Sequence, residues 1–162
     1  MATKKFDVLS DITERMGGDL ILVGGGAVEL YTQGWFLTGD LDIITSNKSK
    51  LERVLHDMGF QKEDPRHYIR DDIFIDVVGS LPQEVRARDV TIAPSMKRIR
   101  IICIEDIIID RLCACKHWKS ERDCEQADYM IHAYHDKLDW EYLRARAIEE
   151  EVNDQLPPAN DY

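Results

Sequence analysis

The chain reads LILVGGGAVELY over residues 20–31 and TGDLDII over residues 38–44. In the first stretch, a short apolar run leads into three glycines and then into helix-forming residues, which predicts a strand, a turn and a short helix. In the second, two aspartates one residue apart precede an apolar pair, which predicts a strand with both carboxylates on one face. Together the two stretches place a flexible backbone turn close to a pair of acids.

The glycines are candidates for holding phosphate. Backbone N–H groups point outward where a strand gives way to a helix, and the helix dipole favours an anion there. Gly24, Gly25 and Gly26 stand at such a position. Glycines also occur wherever backbone passes close to another element, so these residues alone do not specify the chemistry.

The acidic pair makes the pattern more specific. Carboxylates as close as Asp40 and Asp42 repel each other unless a cation neutralises them, and such pairs suit Mg²⁺, which keeps several waters and bridges substrate phosphates. A third acid is expected on a neighbouring strand. Asp76 fits, because it interrupts the apolar run IFIDVVG between Phe74 and Val78. The alternative is that Asp76 lies on a solvated strand face.

Asp40, Asp42 and Asp76 together predict a two-metal site for phosphoryl or nucleotidyl transfer, in which two metals stabilise the attacking and leaving oxygens. Asp40 and Asp42 are expected to hold the metals and the triphosphate. Asp76 is expected to bridge the catalytic metal and to help take the proton from an attacking hydroxyl.

The rest of the pattern predicts one domain over residues 1–150 with an α/β core over about 1–103, a helical region over about 104–150, and a loose tail over 151–162. Helices are expected over about residues 5–16, 27–32, 48–58, 105–117, 121–134 and 140–150. Strands are expected over about residues 20–23, 41–45, 67–70, 73–78, 89–92 and 97–102.

Composition narrows the function classes. The chain has 162 residues, of which 44% are hydrophobic, and a formal charge of −10. This indicates a folded protein whose surface repels a nucleic-acid backbone unless basic groups cluster. Neither a signal peptide nor a membrane-spanning apolar stretch is evident, so a cytoplasmic location and no membrane partner are expected.

Two smaller clusters carry weaker signals. One group of basic residues lies close together in sequence and could form an RNA-binding face or simply two solvated strand faces: Arg86, Arg88, Lys97, Arg98 and Arg100. Another group could suggest zinc: Cys113, Cys115, His117 and Cys124. The helical pattern places Cys113 and Cys115 on different faces, which disfavours zinc.

The glycine pair, the short helix, the Asp-Leu-Asp motif and the later single Asp resemble the polymerase-beta-like nucleotidyltransferase superfamily. Thirteen residues separate Gly25-Gly26 from Asp40, which is within the usual spacing of that family. TGDLDII and IFIDVV resemble the acid-bearing strands of its small bacterial and archaeal members. Residues 104–127 resemble the helical region of uncharacterised members and of toxin-type nucleotidyltransferases. The resemblance covers roughly residues 19–132.

This resemblance implies a mixed β-sheet flanked by helices, with Mg²⁺ or Mn²⁺ and a nucleoside triphosphate as substrate. Thr38 joins the glycines as a nucleotide-binding candidate. Toxin-type members also tend to carry a lysine in the first C-terminal helix, for which Arg111 or Lys116 could substitute, although either could form a structural salt bridge. Such members often have a basic residue before the acidic pair, where this chain has WFLTG.

The resemblance leaves the acceptor open among RNA (tRNA included), a protein hydroxyl and a small molecule. It also leaves open a toxin role with an antitoxin partner, and a homo-oligomer. The main alternative is a catalytically inactive module with this fold, favoured by the missing basic groups and disfavoured by the three acids.

A dinucleotide-binding domain is a third reading, because Gly24-x-Gly26 follows a strand and an acid lies roughly twenty residues on. However, the third glycine position of that fingerprint holds Glu29, which would crowd the helix and repel pyrophosphate.

Overall fold

One mixed β-sheet of seven strands organises a computed structural model of the chain, which describes residues 2–79 and 85–158. The strands are β1 (Ile21–Val23), β2 (Asp40–Ile44), β3 (Gln61–Lys62), β4 (His67–Arg70), β5 (Ile73–Val77), β6 (Ala87–Ile92) and β7 (Lys97–Ile102). The helices are α1 (Ala2–Arg15), α2 (Gly24–Tyr31), α3 (Lys48–Asp57), α4 (Ile104–Trp118), α5 (Glu121–Tyr134) and α6 (Trp140–Glu149). The predicted class, a mixed sheet flanked by helices with a helical C-terminal region, is confirmed.

The strand order is β3-β4-β5-β2-β1-β7-β6, which places β2 at the centre. β2 runs antiparallel to β1 and parallel to β5. Leu41 and Ile43 are buried, and since alternate residues of a strand share a face, Asp40 and Asp42 lie on the opposite face of β2.

The helices cover the sheet and build the C-terminal region. α1 packs against β7, α2 packs against β1 and β2, and α4 packs against α2, α5 and α6. The helical spacing predicted for the first helix corresponds to a buried stripe formed by Phe6, Leu9 and Ile12 of α1 and by Met16, which directly follows the helix. Within the described ranges, no helix is both long and apolar enough to span a bilayer.

Residues 151–158 differ from the loose tail that the sequence predicts. Val152 is 0% exposed, and its N–H donates to the Ala147 carbonyl at 2.8 Å. Lys116 Nζ donates to the Glu151 carbonyl at 2.6 Å and lies 3.0 Å from Asp154 Oδ1. Two isolated apolar residues in a polar stretch, Val152 and Leu156, form no periodic pattern, so their packing was not visible in the sequence. Residues 159–162 of the expected tail lie outside the described part of the chain.

A disulfide between Cys115 and Cys124 joins α4 to α5, with their Cα atoms 4.8 Å apart. Cys103 and Cys113 are free thiols. This bond could not be predicted from the sequence, because the pairing depends on how two successive helices lie against each other rather than on spacing within one helix.

Candidate active site

Three aspartates lie on the adjacent parallel strands β2 and β5. Asp42 is the direct neighbour of Asp76 in the register of these strands, and Asp40 is the neighbour of Phe74. Asp40 is exposed, whereas Asp42 and Asp76 are half-buried. The fold therefore brings together the three acids that the sequence nominates for catalysis and metal binding.

The Asp42 carboxylate has a perturbed proton affinity. Burial, as the largest cause, and the nearby charges of Asp76 and Asp40 together raise its pKa to about 6, while Arg111 and Arg66 oppose the shift. A cation near a carboxylate that is partly buried beside other acids would stabilise its ionised form.

Asp76 already has a cationic partner. Arg66 Nε donates to Asp76 Oδ1 at 3.0 Å and Arg66 Nη2 donates to Asp76 Oδ2 at 2.8 Å. His67 Nε2 lies 3.5 Å from the same Oδ2, and its Nδ1 lies 2.8 Å from Asp64. Neither basic residue was nominated from the sequence. The sequence could have indicated His67. In a tight hairpin between β4 and β5, residues equally far from the turn pair with each other, and this rule pairs His67 with Asp76.

The strand face that carries Asp76 is more open than its apolar neighbours suggested. Phe74 is 41% exposed and Val78 is half-buried, whereas Ile73 and Ile75 on the other face are buried. The solvated strand face that the sequence leaves as an alternative for Asp76 is therefore present, although the Asp76 side chain itself is only 14% exposed.

The three glycines form the first turn of α2 rather than a turn before it, so this helix begins earlier than predicted. Gly24 has a φ of +60°, and a Cβ atom there would overlap Asp42 Oδ2. A Cβ at Gly25 would lie 2.6 Å from Thr38 Oγ1. The N-cap residue of this helix, Val23, makes no side-chain hydrogen bond to the first turn, and the first N–H groups of a helix have no partner within the helix itself.

A buried ion pair holds the segment that leads to Asp40. Glu29 on α2 is 2% exposed and lies 2.8 Å from Lys5 Nζ of α1. The same lysine donates to the Thr38 carbonyl at 2.9 Å, and the Thr38 N–H donates to Glu29 Oε1 at 3.2 Å. Thr38, a predicted nucleotide-binding residue, is thus fixed between the glycines and the acidic pair.

A cavity of about 660 Å³ opens beside Asp42, between the sheet and the helical region. Its charged lining residues are Asp42, Asp106, Asp110, Arg111, Arg146, Glu149 and Glu150. Gly24 also borders it. The cavity has enough volume for a small-molecule ligand and carries more acids than bases.

The whole chain matches one family model. Residues 1–162 fit the model described as a nucleotidyltransferase of unknown function (DUF6036). The chain belongs to this nucleotidyltransferase family. No curated protein matches it.

A solved structure shares the fold of this nucleotidyltransferase. It is the crystal structure of ANT(2")-Ia in complex with adenylyl-2"-tobramycin, with a TM-score of 0.61 over 92% of this chain and 97% of that one. The two sequences are 13% identical, so the likeness concerns the fold.

The two basic residues of α4 that were predicted to bind nucleotide lie in different surroundings. Arg111 borders the cavity with Asp42 and Gly24, but its guanidinium is already bound to Asp123 and Asp110, at 2.9 Å each. Lys116 binds Asp154 and the Glu151 carbonyl instead, so it belongs to the packing of the C-terminal segment.

The carboxylates of this nucleotidyltransferase suit a hard divalent cation in their chemistry, since all are oxygen donors and the charged form of Asp42 is disfavoured by burial and by the neighbouring acids. Within residues 2–79 and 85–158, however, no three His, Cys, Asp or Glu side chains are arranged as a ready metal cluster. Both oxygens of Asp76 bind Arg66. A guanidinium thus stands where the sequence predicts a metal.

Proposed function

We propose that this nucleotidyltransferase moves a nucleoside monophosphate from a nucleoside triphosphate to an acceptor hydroxyl. The observation that carries the proposal is the side-by-side register of Asp42 and Asp76, with Gly24 pressed against the Asp42 carboxylate. A helix start with no capping side chain and adjacent acids suits a phosphate chain that arrives with divalent cations.

Asp40, Asp42 and Asp76 are the residues proposed to hold Mg²⁺ or Mn²⁺. Bound there, the metal would supply positive charge against the triphosphate. Because Mg²⁺ is commonly bound by one or two carboxylates together with substrate phosphates, the site is expected to be completed by the nucleotide.

The proposed roles of the chain follow from position. The first-turn N–H groups at Gly24, Gly25 and Gly26 bind phosphate oxygens, and Thr38 borders this turn. The acceptor oxygen forms a bond to the α-phosphorus while the bond from that phosphorus to the bridging oxygen breaks, so pyrophosphate leaves. The hydroxyl proton passes to Asp76, which lies on the accessible face of β5.

The acceptor is proposed to enter the cavity beside Asp42. Its carboxylates outnumber its two arginines, which favours a neutral or cationic small molecule, or a protein hydroxyl, over a nucleic-acid backbone. The basic residues considered for RNA are also partly neutralised: Arg86 lies 3.4 Å from Asp139, Arg100 lies 3.4 Å from Asp89 and Lys97 lies 3.1 Å from Asp11. The ligand of ANT(2")-Ia, adenylyl-2"-tobramycin, carries a nucleotidyl group on a small molecule, which is in line with this choice.

The resemblance to toxin-type members extends the proposal to a cytoplasmic toxin with an antitoxin partner. A catalytically inactive nucleotide-binding module remains the second candidate. The Arg66–Asp76 ion pair favours it, since a permanent pair would keep metal away from Asp76.

Isothermal titration calorimetry of ATP, CTP, GTP and UTP, each with Mg²⁺, tests the proposal. We expect one triphosphate to bind the wild type and to bind the Asp40→Asn/Asp42→Asn variant at least about tenfold more weakly, because the metal loses its charged ligands. Asp72→Asn, an exposed change in the turn before β5, is the control for charge.

A pair of glycine variants extends the same titration. Gly24→Ala should weaken binding because the methyl group displaces the Asp42 carboxylate, whereas Gly39→Ala, where a Cβ meets nothing within 4 Å, should not. Binding that survives the loss of Asp40 and Asp42 would reject the proposed site. Binding that needs these acids, with no transfer to any acceptor, would favour the inactive module.

A further inference from the structure

Both carboxylate oxygens of Asp76 are engaged by one side chain. The two hydrogen bonds from Arg66 measure 3.0 and 2.8 Å, a bidentate arrangement that satisfies a carboxylate well. The Asp76 side chain is 14% exposed, whereas that of Arg66 is 57% exposed. The acid is therefore fixed in the site, and its cationic partner reaches it from the solvent side.

We propose that Arg66 is a displaceable counter-ion of Asp76: it occupies the cation position at this carboxylate in the nucleotide-free protein and leaves when a metal ion arrives with the nucleotide. This inference rests on the proposed function, because it takes Asp76 as a ligand of that metal. Arg66 is thereby assigned a role as a positioning residue that controls when the metal site forms.

The local structure allows the arginine side chain to leave without unfolding anything. Arg66 lies in the bend before β4, and its backbone is held independently, since its carbonyl accepts from Val77 N–H at 2.8 Å and its N–H donates to Asp64 Oδ1 at 2.8 Å. His67 keeps its own link to Asp64 at 2.8 Å. Rotation of the Arg66 side chain therefore breaks only the pair with Asp76 among these contacts.

The charges favour exchange once the nucleotide is present. Arg66, the partner on the solvent side, is 57% exposed, and water screens an ion pair with an exposed partner more than it screens a fully buried pair. A divalent cation brings twice the charge, and the triphosphate adds further oxygen ligands. In the nucleotide-free protein, by contrast, the guanidinium neutralises Asp76 beside Asp42, so metal alone competes poorly. The arrangement predicts that metal and nucleotide bind together rather than in sequence.

Metal binding without nucleotide tests the proposal directly. Mn²⁺ binding is measured by electron paramagnetic resonance for the wild type, Arg66→Gln, Arg66→Lys and Arg98→Gln. The last variant removes the same charge from an exposed position on β7, across the sheet from β5. We expect Arg66→Gln to bind Mn²⁺ about three- to tenfold more tightly than the wild type. Arg98→Gln should match the wild type, and Arg66→Lys should lie between.

A second readout follows the arginine itself. The Nε–H resonance of Arg66, assigned by its loss in Arg66→Gln, should shift when Mg²⁺ and a non-hydrolysable α,β-methylene triphosphate are added together. It should not shift with either one alone.

The outcomes separate this inference from the proposed function. Metal–nucleotide binding that needs Asp40 and Asp42, with equal Mn²⁺ affinity in the wild type and Arg66→Gln, would overturn the counter-ion role and leave the proposed function standing. Absence of metal–nucleotide binding in both the wild type and Arg66→Gln would overturn both. Tighter Mn²⁺ binding in Arg66→Gln that Asp76→Asn abolishes would support the counter-ion role.

Discussion

The Asp42 carboxylate lies against Gly24 and beside Asp76, and its pKa rises from 3.8 to about 6 through burial and through the charges of Asp76 and Asp40. In the unfolded chain these influences are absent. Between pH 3.8 and 6 the folded state therefore holds this proton more tightly than the unfolded state. The free energy of unfolding consequently falls as the pH rises through that window. A residue suited to binding metal thus destabilises the metal-free fold at neutral pH.

Asp42→Asn is expected to stabilise the metal-free protein at pH 8. Since the group is partly exposed and screened by solvent, the gain should be about 1 kcal/mol, or roughly 2–4 °C in Tm for a chain of this size. At pH 4 the gain should nearly vanish, because the folded protein then carries Asp42 protonated. Differential scanning calorimetry at both pH values, with Asp72→Asn as the control, measures this. A lower Tm for Asp42→Asn at pH 8 would contradict the assignment.

At the scale of elements, strong local patterns in the sequence were enough to predict where most strands and helices lie. The contacts between distant parts of the chain could not be predicted from these patterns. β4, β7 and α5 have the predicted bounds, because alternation marks the strands and Ser120 caps the helix. β3 was missed, since two exposed residues carry no alternating pattern.

In the candidate site, too, the residues that depend on local patterns were predicted, and the partners that depend on long-range packing were not. Asp40, Asp42 and Asp76 come together because each lies in a strand that the local pattern predicts. The partners of Arg111 and Lys116 depend on how α5 and residues 151–158 fold back onto α4. The ion pairs that neutralise Arg111 and Lys116 therefore could not be predicted from the sequence of α4 alone.

The contact between α1 and α2 leads to a prediction at this scale. Lys5 and Glu29 form a pair with 18% and 2% of their side chains exposed, and both also bind the Thr38 backbone. Removing one partner leaves the other charge buried, so Lys5→Met and Glu29→Gln should each lower the free energy of unfolding by about 2–4 kcal/mol.

The double variant should lose less than the sum of the two single losses. Urea denaturation measures all three, and Lys4→Met, whose side chain is 62% exposed, is the matched control. Additive losses would show that the two side chains do not stabilise one another.

At the scale of the whole molecule, the C-terminal segment completes the helical region. Val152 and Leu156 are buried at 0% and 9% exposure, and Lys116 ties this segment to α4. The cavity beside Asp42 is lined by α4 and α6. The segment that packs behind these helices therefore contributes to the shape of the candidate acceptor site.

A chain ending at residue 151 should lose about 3–5 kcal/mol of unfolding free energy, because two buried apolar side chains are removed. A chain ending at residue 158 retains every contact described for this segment and serves as the reference. Thermal denaturation of the two shortened chains measures the difference. Equal Tm values for them would contradict the structural role given to Val152 and Leu156.

The covalent link between α4 and α5 also bears on where the chain folds. Disulfides persist in oxidising compartments and are rare in the reducing cytosol. Thiol alkylation at the moment of cell lysis, followed by mass spectrometry, distinguishes Cys115 and Cys124 from the free thiols Cys103 and Cys113. Two labelled cysteines would indicate an oxidising environment and four a reducing one, so this pair reports the cellular compartment of the protein independently of any activity.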